Sequence, residues 1–283
     1  MGARILYQVI PSPLLYPIQS RLRRRGTGVN STITVSDAQP GKAWLVGCGP
    51  GDVDLLTLKA VKLIKAAEVI LYDDLGTEAV MEEYASDEAV RAYVGKRGGQ
   101  KSMKQGEIDE LLVRYCLQGK QVVRLKGGCP SVFSRCSSEI AALGQVGIPW
   151  ELVPGISSAL AGPLLAGFPL TDAQLGRSFA VTSAHDPGSI NWAAFRGVDT
   201  LVLLMSGRSL PAIVDGLISS GWSPDTPVAV VRSAGLPDQA TWLAQLQSIL
   251  EATKDAGTLS PCVTVVGQVH PSIHSPISNK SMA

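Results

Sequence analysis

The chain has 283 residues, 45% of them hydrophobic, a formal net charge of +1, and no run of the ~18 apolar residues that a membrane helix needs. That length suits one large domain or two ordinary ones, and the near-zero charge argues against a global basic field for nucleic acid. Five scattered cysteines with no C-x-x-C pair, and only three histidines, point to a reducing compartment and away from a disulfide frame or a metal site.

Up to Ser36 there is no Asp or Glu, while Arg4, Arg21, Arg23, Arg24 and Arg25 stand among frequent serine, threonine and proline. This acid-free, Arg- and hydroxyl-rich composition is that of an organelle transit peptide; the alternative is a plain basic tail. A secretory signal fits poorly, because the basic cluster follows the apolar part. Residues 1–40 are therefore set outside the fold.

Residues 44–59 read WLVGCGPGDVDLLTLK. A short apolar strand runs into Gly47, Gly49, Pro50, Gly51 and Asp52, and helical spacing predicts a helix over 54–67. The glycines suit either a tight turn or close approach of a ligand to backbone at a helix N-terminus. They are not the dinucleotide fingerprint: a proline replaces a free N–H and the third glycine is missing.

Strand and helix then alternate: EVILYDD, TEAVMEEY, VRAYVGKR, QGEIDELLVRYCLQG, KQVVRLKGG and SEIAALGQVG. Alternation of this kind predicts a parallel sheet with its ligand crevice at the carboxyl ends of the strands. Asp52, Asp73, Lys96, Arg97 and Lys126–Gly128 all fall just after strands. A second half opens with WELVP and a helix of small residues capped by Ser157 and Ser158. RSFAVTSAH, DTLVLLMSG and TPVAVVRSAG follow as strands, SLPAIVDGLISSGW as a helix and SPCVTVVGQV as the last strand. The expected division is 41–150 and 151–271, with the boundary near 148–154 and a disordered tail over 272–283.

Several side chains are candidates for chemistry, each with a plainer alternative. Asp73 can accept a proton or cap the next helix. Lys96 can donate a proton, hold an anion or simply be solvated. Lys126 and Arg135 flank the second glycine turn, KGGCPSVFSR, and can hold carboxylates or be ordinary surface charges. Cys129 has no histidine nearby in sequence to make it a nucleophile. Met205 is core or pocket wall.

VGCGPGDVDLLTLKA, ILYDDL, VGKRGG, VVRLKGGCP-x-VF, VPGISSALAGPLLAGFPLT, DTLVLLMSG, TPVAVVRSAG and SPCVTVVG occur in this order. Together they closely resemble the uroporphyrinogen-III C-methyltransferases of the tetrapyrrole methylase superfamily over about residues 42–270. The resemblance implies a two-domain α/β fold with mostly parallel sheets and S-adenosylmethionine in the cleft between the domains, usually as a homodimer. It implies methylation of uroporphyrinogen III at C2 and C7 to precorrin-2, on the way to siroheme or cobalamin, with no metal, nucleic acid or membrane involved. By the same resemblance the cofactor contacts are Pro50, Gly127, Gly128, Cys129, Val132, Ser157, Ser158, Met205 and Ala234. Asp73 is the proton acceptor and Lys96 the donor. The substrate's many carboxylates give cations at the cleft rim a partner: Lys96, Arg97, Arg124, Lys126 and Arg135.

Two departures stand out. The family pattern G-G-D-P-F-x-F-G-R-G-G-E-E is here GGCPSVFSRCSSE, with Cys129 for the aspartate, Ser131 for a phenylalanine, and Ser134, Cys136 and Ser137 for glycines. A cysteine is a weaker hydrogen-bond partner than a carboxylate. The RC-x-SE variant resembles homologues of photosynthetic organisms, which with the N-terminal composition implies a plastid. Asp172 stands where many members have histidine. Competing readings are another enzyme of the superfamily, such as a precorrin methylase or an rRNA ribose methylase, and a paralogue that binds cofactor or tetrapyrrole without turnover.

Overall fold

The computed structural model describes residues 39–73, 75, 77–95 and 103–267. The first half alternates strand and helix: β1 Ala43–Gly47, α1 Leu58–Ala66, β2 Val69–Tyr72, α2 Glu78–Tyr84, β3 Val90–Tyr93, α3 Gln105–Leu117, β4 Val122–Lys126, α4 Cys136–Gln145 and β5 Trp150–Val153. The five strands form one sheet in the order β3-β2-β4-β1-β5. Every pair in it is parallel, as the alternation predicts. The helix expected over 54–67 starts later. A 3₁₀ turn, Val53–Leu55, comes first, because Asp52 and Thr57 each accept a backbone N–H and each begins its own element.

Residues of opposite parity on the strands feed two apolar layers. Leu45, Val122 and Leu71 pack with Ile108, Leu112 and Leu143 of α3 and α4. Val46, Val123, Leu125 and Ile70 pack with Ala60, Ile64 and Val80 of α1 and α2. The adjacent strands β1 and β4 therefore send their following helices to opposite faces. That arrangement opens a crevice at their carboxyl ends.

The second half holds α5 Ser158–Leu165, β6 Phe179–Ser183, β7 Thr200–Leu204, α6 Leu210–Ser219, β8 Pro227–Arg232, β9 Ala240–Gln245, α7 Ile249–Ala252 and β10 Cys262–Gly267. Its sheet runs β6-β7-β10-β8-β9. The mostly parallel pairing expected of the fold is carried by the first sheet, and this second one is mixed. Only β6 and β7 are parallel, while β10 pairs antiparallel with both β7 and β8, and β8 pairs antiparallel with β9. The reason is local: β9, which the sequence reading passed over, folds back on β8 as a hairpin, and β10 inserts between β7 and β8. Helix α5 packs with Val202, Val231 and Val263 on one face of this sheet, and α6 with Leu201, Leu203 and Val230 on the other. No helix among the described residues is long and apolar enough to cross a membrane.

Candidate active site

The carboxyl ends of β1, β4 and β5 meet with no side chains between them. A Cβ on Gly47 would lie 2.6 Å from both the Gly128 oxygen and the Gly155 nitrogen. Gly49 and Gly128 exchange backbone hydrogen bonds, the Gly49 N–H donating to the Gly128 oxygen at 3.2 Å and the Gly128 N–H to the Gly49 oxygen at 2.7 Å. Gly128 sits at φ +66°, and a Cβ there would come 3.7 Å from the Ser158 nitrogen. Backbone here packs directly on backbone, an approach that only glycine allows.

The second half closes on the same place. A Cβ on Gly51 would strike Leu236 Cδ2 at 2.6 Å, and one on Gly235 would lie 3.4 Å from Pro50 Cγ. The loop carrying Ala234 is clamped by Gln239, whose Oε1 accepts the Gly235 N–H at 2.9 Å while its Nε2 donates to the Leu165 carbonyl at 3.1 Å. Val132, from the loop after β4, packs against the core of the second sheet with Ala159 and Ala234. Met205 directly follows β7 and is 46% exposed.

Backbone strain collects in these loops. Among the described residues, the non-glycine residues with positive φ are Phe133, Arg135, Met205 and Ser233. Phe133 and Arg135 lie in the segment that joins β4 to α4, Met205 directly after β7 and Ser233 directly after β8. Such conformations cost of order 1–3 kcal/mol each and cluster at ligand clamps. The contacts above bring together Pro50, Gly128, Val132, Ser158 and Ala234, with Gly127 next in chain. Partly exposed backbone at Gly127 and Gly128, small apolar neighbours and a half-exposed methionine suit a nucleoside joined to an amino acid, as S-adenosylmethionine is. Ser157 is buried, and its hydroxyl caps α5 by accepting the Ala159 N–H at 3.3 Å.

Cys129 occupies the position of the usual carboxylate. Its sulfur lies 3.0 Å from the Ser131 hydroxyl. Partial burial raises the thiol's pKa, but hydrogen bonds from the Ser131 hydroxyl and from the N–H groups of Ser131 and Gly155 outweigh that, leaving it below the ordinary value. The other cysteines go the other way. Burial pushes Cys48 and Cys116 up to about 12 and also raises Cys136 and Cys262. Iodoacetamide below pH 9 is therefore expected to label Cys129 first, and S-adenosylhomocysteine to protect it; peptide mapping that finds another cysteine labelled first would contradict this. Amides that favour a thiolate also suit a carboxylate, so Cys129→Asp should tighten S-adenosylhomocysteine binding. An unchanged dissociation constant would mean the loop is already adapted to sulfur.

Asp73 follows β2 and does not cap α2. That helix begins at Glu78 with Thr77 at its N-cap. Instead Asp73 Oδ1 accepts the Leu75 N–H at 3.2 Å, and Oδ2 accepts Arg124 Nη2 at 3.0 Å. Its side chain keeps 22% of its surface. Arg124 and Lys126 do not stand at the rim, where the sequence reading put them. They are 6% and 4% exposed, and both donate to Glu139, which is fully buried. Burial pushes the Lys126 ammonium pKa down, with Glu139 opposing. Arg135 is exposed at the start of α4. Lys96 and Arg97 lie outside the described residues.

Sequence reasoning missed Glu139 and Gln239. Arg124 and Lys126, two apart on an interior strand, were a usable signal, since cations sharing a buried face need an anion. Nothing in the sequence marked Gln239.

Residues 42–250 match the family model of tetrapyrrole (corrin/porphyrin) methylases. A uroporphyrinogen-III C-methyltransferase of Synechococcus elongatus is 45% identical over 229 residues, covering 81% of this chain and 93% of that protein. The crystal structure of the Thermus thermophilus uroporphyrin-III C-methyltransferase complexed with S-adenosylhomocysteine superposes with a TM-score of 0.70 at 37% identity, covering 81% of this chain and 98% of that one. A cobalt precorrin-4 methyltransferase reaches a TM-score of 0.72 at 27% identity, covering 80% and 94%. With strand-end loops from both sheets closing on one glycine-lined crevice, and a sequence that matches from β1 into α7, the chain belongs to the tetrapyrrole methylase family.

Proposed function

We propose that this enzyme transfers methyl groups from S-adenosylmethionine to C2 and C7 of uroporphyrinogen III, forming precorrin-2 for siroheme or cobalamin synthesis. The observation that carries the chemistry is the part-exposed Asp73 carboxylate, held by Arg124 at the carboxyl edge of the sheet that lines the crevice. When bound, the cofactor supplies an electrophilic methyl on a sulfonium. Pro50, Gly127, Gly128, Cys129, Val132, Ser157, Ser158, Met205 and Ala234 are the residues that would hold it. An electron-rich pyrrole carbon needs alignment more than activation to take that methyl, and rigid strand ends supply alignment. The ring proton must then leave, and Asp73 is the base proposed to take it. Lys96 is the proposed donor. Exposed Arg135, together with Arg97, is proposed to meet the substrate's carboxylates; Lys126, paired with Glu139, supports the floor beneath.

The test is calorimetry with S-adenosylhomocysteine followed by a methyl-transfer assay on uroporphyrinogen III, with the product identified by mass. Transfer of two methyls supports the reading. Binding without turnover would favour a non-catalytic paralogue, and turnover only on another tetrapyrrole a different methylase. A homodimer is proposed on the exposed apolar residues of consecutive elements, Trp150 and Leu152 on edge strand β5 and Leu160 and Leu164 on α5. Light scattering at a single chain mass would remove it. Plastid targeting by residues 1–40 is proposed from their composition, and a fluorescent fusion of that segment that stays in the cytosol would remove that too.

A further inference from the structure

Arg124 and Lys126 leave the same face of β4. That face is otherwise apolar, built from Ala43, Leu45, Val122, Leu112 and Leu143. Two cations placed there carry a heavy desolvation penalty unless they are paired and hydrogen-bonded. Glu139, one turn into α4 and with no exposed surface, supplies the pairing. Its Oε1 accepts Arg124 Nε at 3.1 Å and its Oε2 accepts Lys126 Nζ at 2.5 Å. Each nitrogen of the Arg124 guanidinium then has an acceptor: Nε has Glu139, Nη1 the Leu125 carbonyl, and Nη2 Asp73 Oδ2. With Asp73 the cluster holds two cations and two carboxylates, and Asp73 is its one member with appreciable surface.

We propose that Glu139 is a positioning residue for methyl transfer. By fixing Arg124 through Nε and retaining Lys126 on its second oxygen, it leaves Asp73 a single guanidinium bond, on Oδ2, with Oδ1 held only by the Leu75 N–H, so that lone pairs of the carboxylate remain for the proton. The proposal rests on the reading of Asp73 as the base. Without Glu139, Arg124 is free to turn two nitrogens onto Asp73 in the bidentate geometry that arginine and carboxylate favour. Lys126 is then left with Asp73 as the remaining carboxylate of the cluster. Both changes spend lone pairs that proton removal needs.

The test is a mutant cycle on the full chain. Glu139→Leu removes both acceptor oxygens, and Glu139→Gln keeps one. Each is made alone and with Asp73→Asn. Single-turnover methyl transfer at saturating cofactor is measured with enzyme in excess, beside the S-adenosylhomocysteine dissociation constant. The expected result is a rate loss of about tenfold or more for Glu139→Leu, a smaller loss for Glu139→Gln, and cofactor affinity within about twofold throughout. In the Asp73→Asn background neither change should cost anything further, because residues that act as one unit are non-additive. Equal losses in both backgrounds, or a rate loss no larger than the loss of cofactor affinity, would overturn the assignment. If Glu139→Leu does not fold, the isosteric Glu139→Gln carries the same comparison. Asp73→Asn retaining the wild-type rate would defeat the base reading before Glu139 is touched; an inactive Asp73→Asn with equal Glu139 losses would defeat the positioning role alone.

Discussion

Asp73→Asn should cut methyl transfer by about 10²–10⁴-fold, the usual contribution of a positioned general base. That corresponds to roughly 3–5 kcal/mol of transition-state stabilisation. The change is isosteric, and the amide oxygen can still accept from Arg124 Nη2. The cost to stability is smaller, because Asp73 keeps 22% of its side-chain surface and solvent screens what burial does not. The Arg124–Glu139 and Lys126–Glu139 pairs beneath it stay intact. S-adenosylhomocysteine affinity should therefore change little, and calorimetry beside a single-turnover assay separates the two quantities. A variant that methylates at the wild-type rate would take Asp73 out of the mechanism.

Gly155→Ala should damage the site through the backbone. A Cβ at this position would lie 2.7 Å from the Gly47 carbonyl carbon, 2.8 Å from the Gly47 Cα, and closer still to the Gly128 oxygen. None of these atoms belongs to a side chain that can rotate away. The carboxyl ends of β1, β4 and β5 must separate, and with them the amides that line the crevice. Overpacking of this kind costs about 3 kcal/mol, or roughly 6–12 °C in the melting temperature of a domain this size. Cofactor affinity should fall by about tenfold or more, since misplaced backbone donors lose their hydrogen bonds. Gly106→Ala is the control: it lies in α3 with nothing within 4 Å of its new Cβ. There the lost backbone freedom of glycine favours the variant by about 0.5–1 kcal/mol. Equal melting temperatures for the two variants would contradict the crowding at Gly155.

Much of this protein was legible before any fold was known, and the reasons are local. The alternation of apolar runs and amphipathic segments from Lys42 to Pro149 gave the parallel first sheet, because a chain that leaves a strand by a helix returns in the same direction. The glycines after β1, β4 and β5 marked the crevice, because side-chain-free turns at strand ends are where backbone can meet a ligand. Helix starts were visible in cap residues such as Ser157. The hairpin of β8 and β9 was less visible: in ATWLAQ the apolar Leu243 falls on the exposed side and breaks the apolar/polar alternation that marks a half-covered strand.

Other features depend on what the chain meets after it folds. Strand direction in the second sheet was decided when β10 inserted between β7 and β8, a pairing between segments far apart in sequence. Arg124 and Lys126 looked like rim cations because they follow a pattern that ends at the crevice; the face of β4 they leave from, and Glu139 waiting there on α4, made them the buried floor beneath Asp73. The clamp of Gln239 on the Ala234 loop belongs to the same class, since it joins residues 74 positions apart. The composition and motifs of this chain sufficed for most of its elements and for its family, because propensity, periodicity and glycine placement act between near neighbours. Which charges reach the substrate and which hold the site together is a matter of burial, and burial exists only once the helices have settled on the sheets.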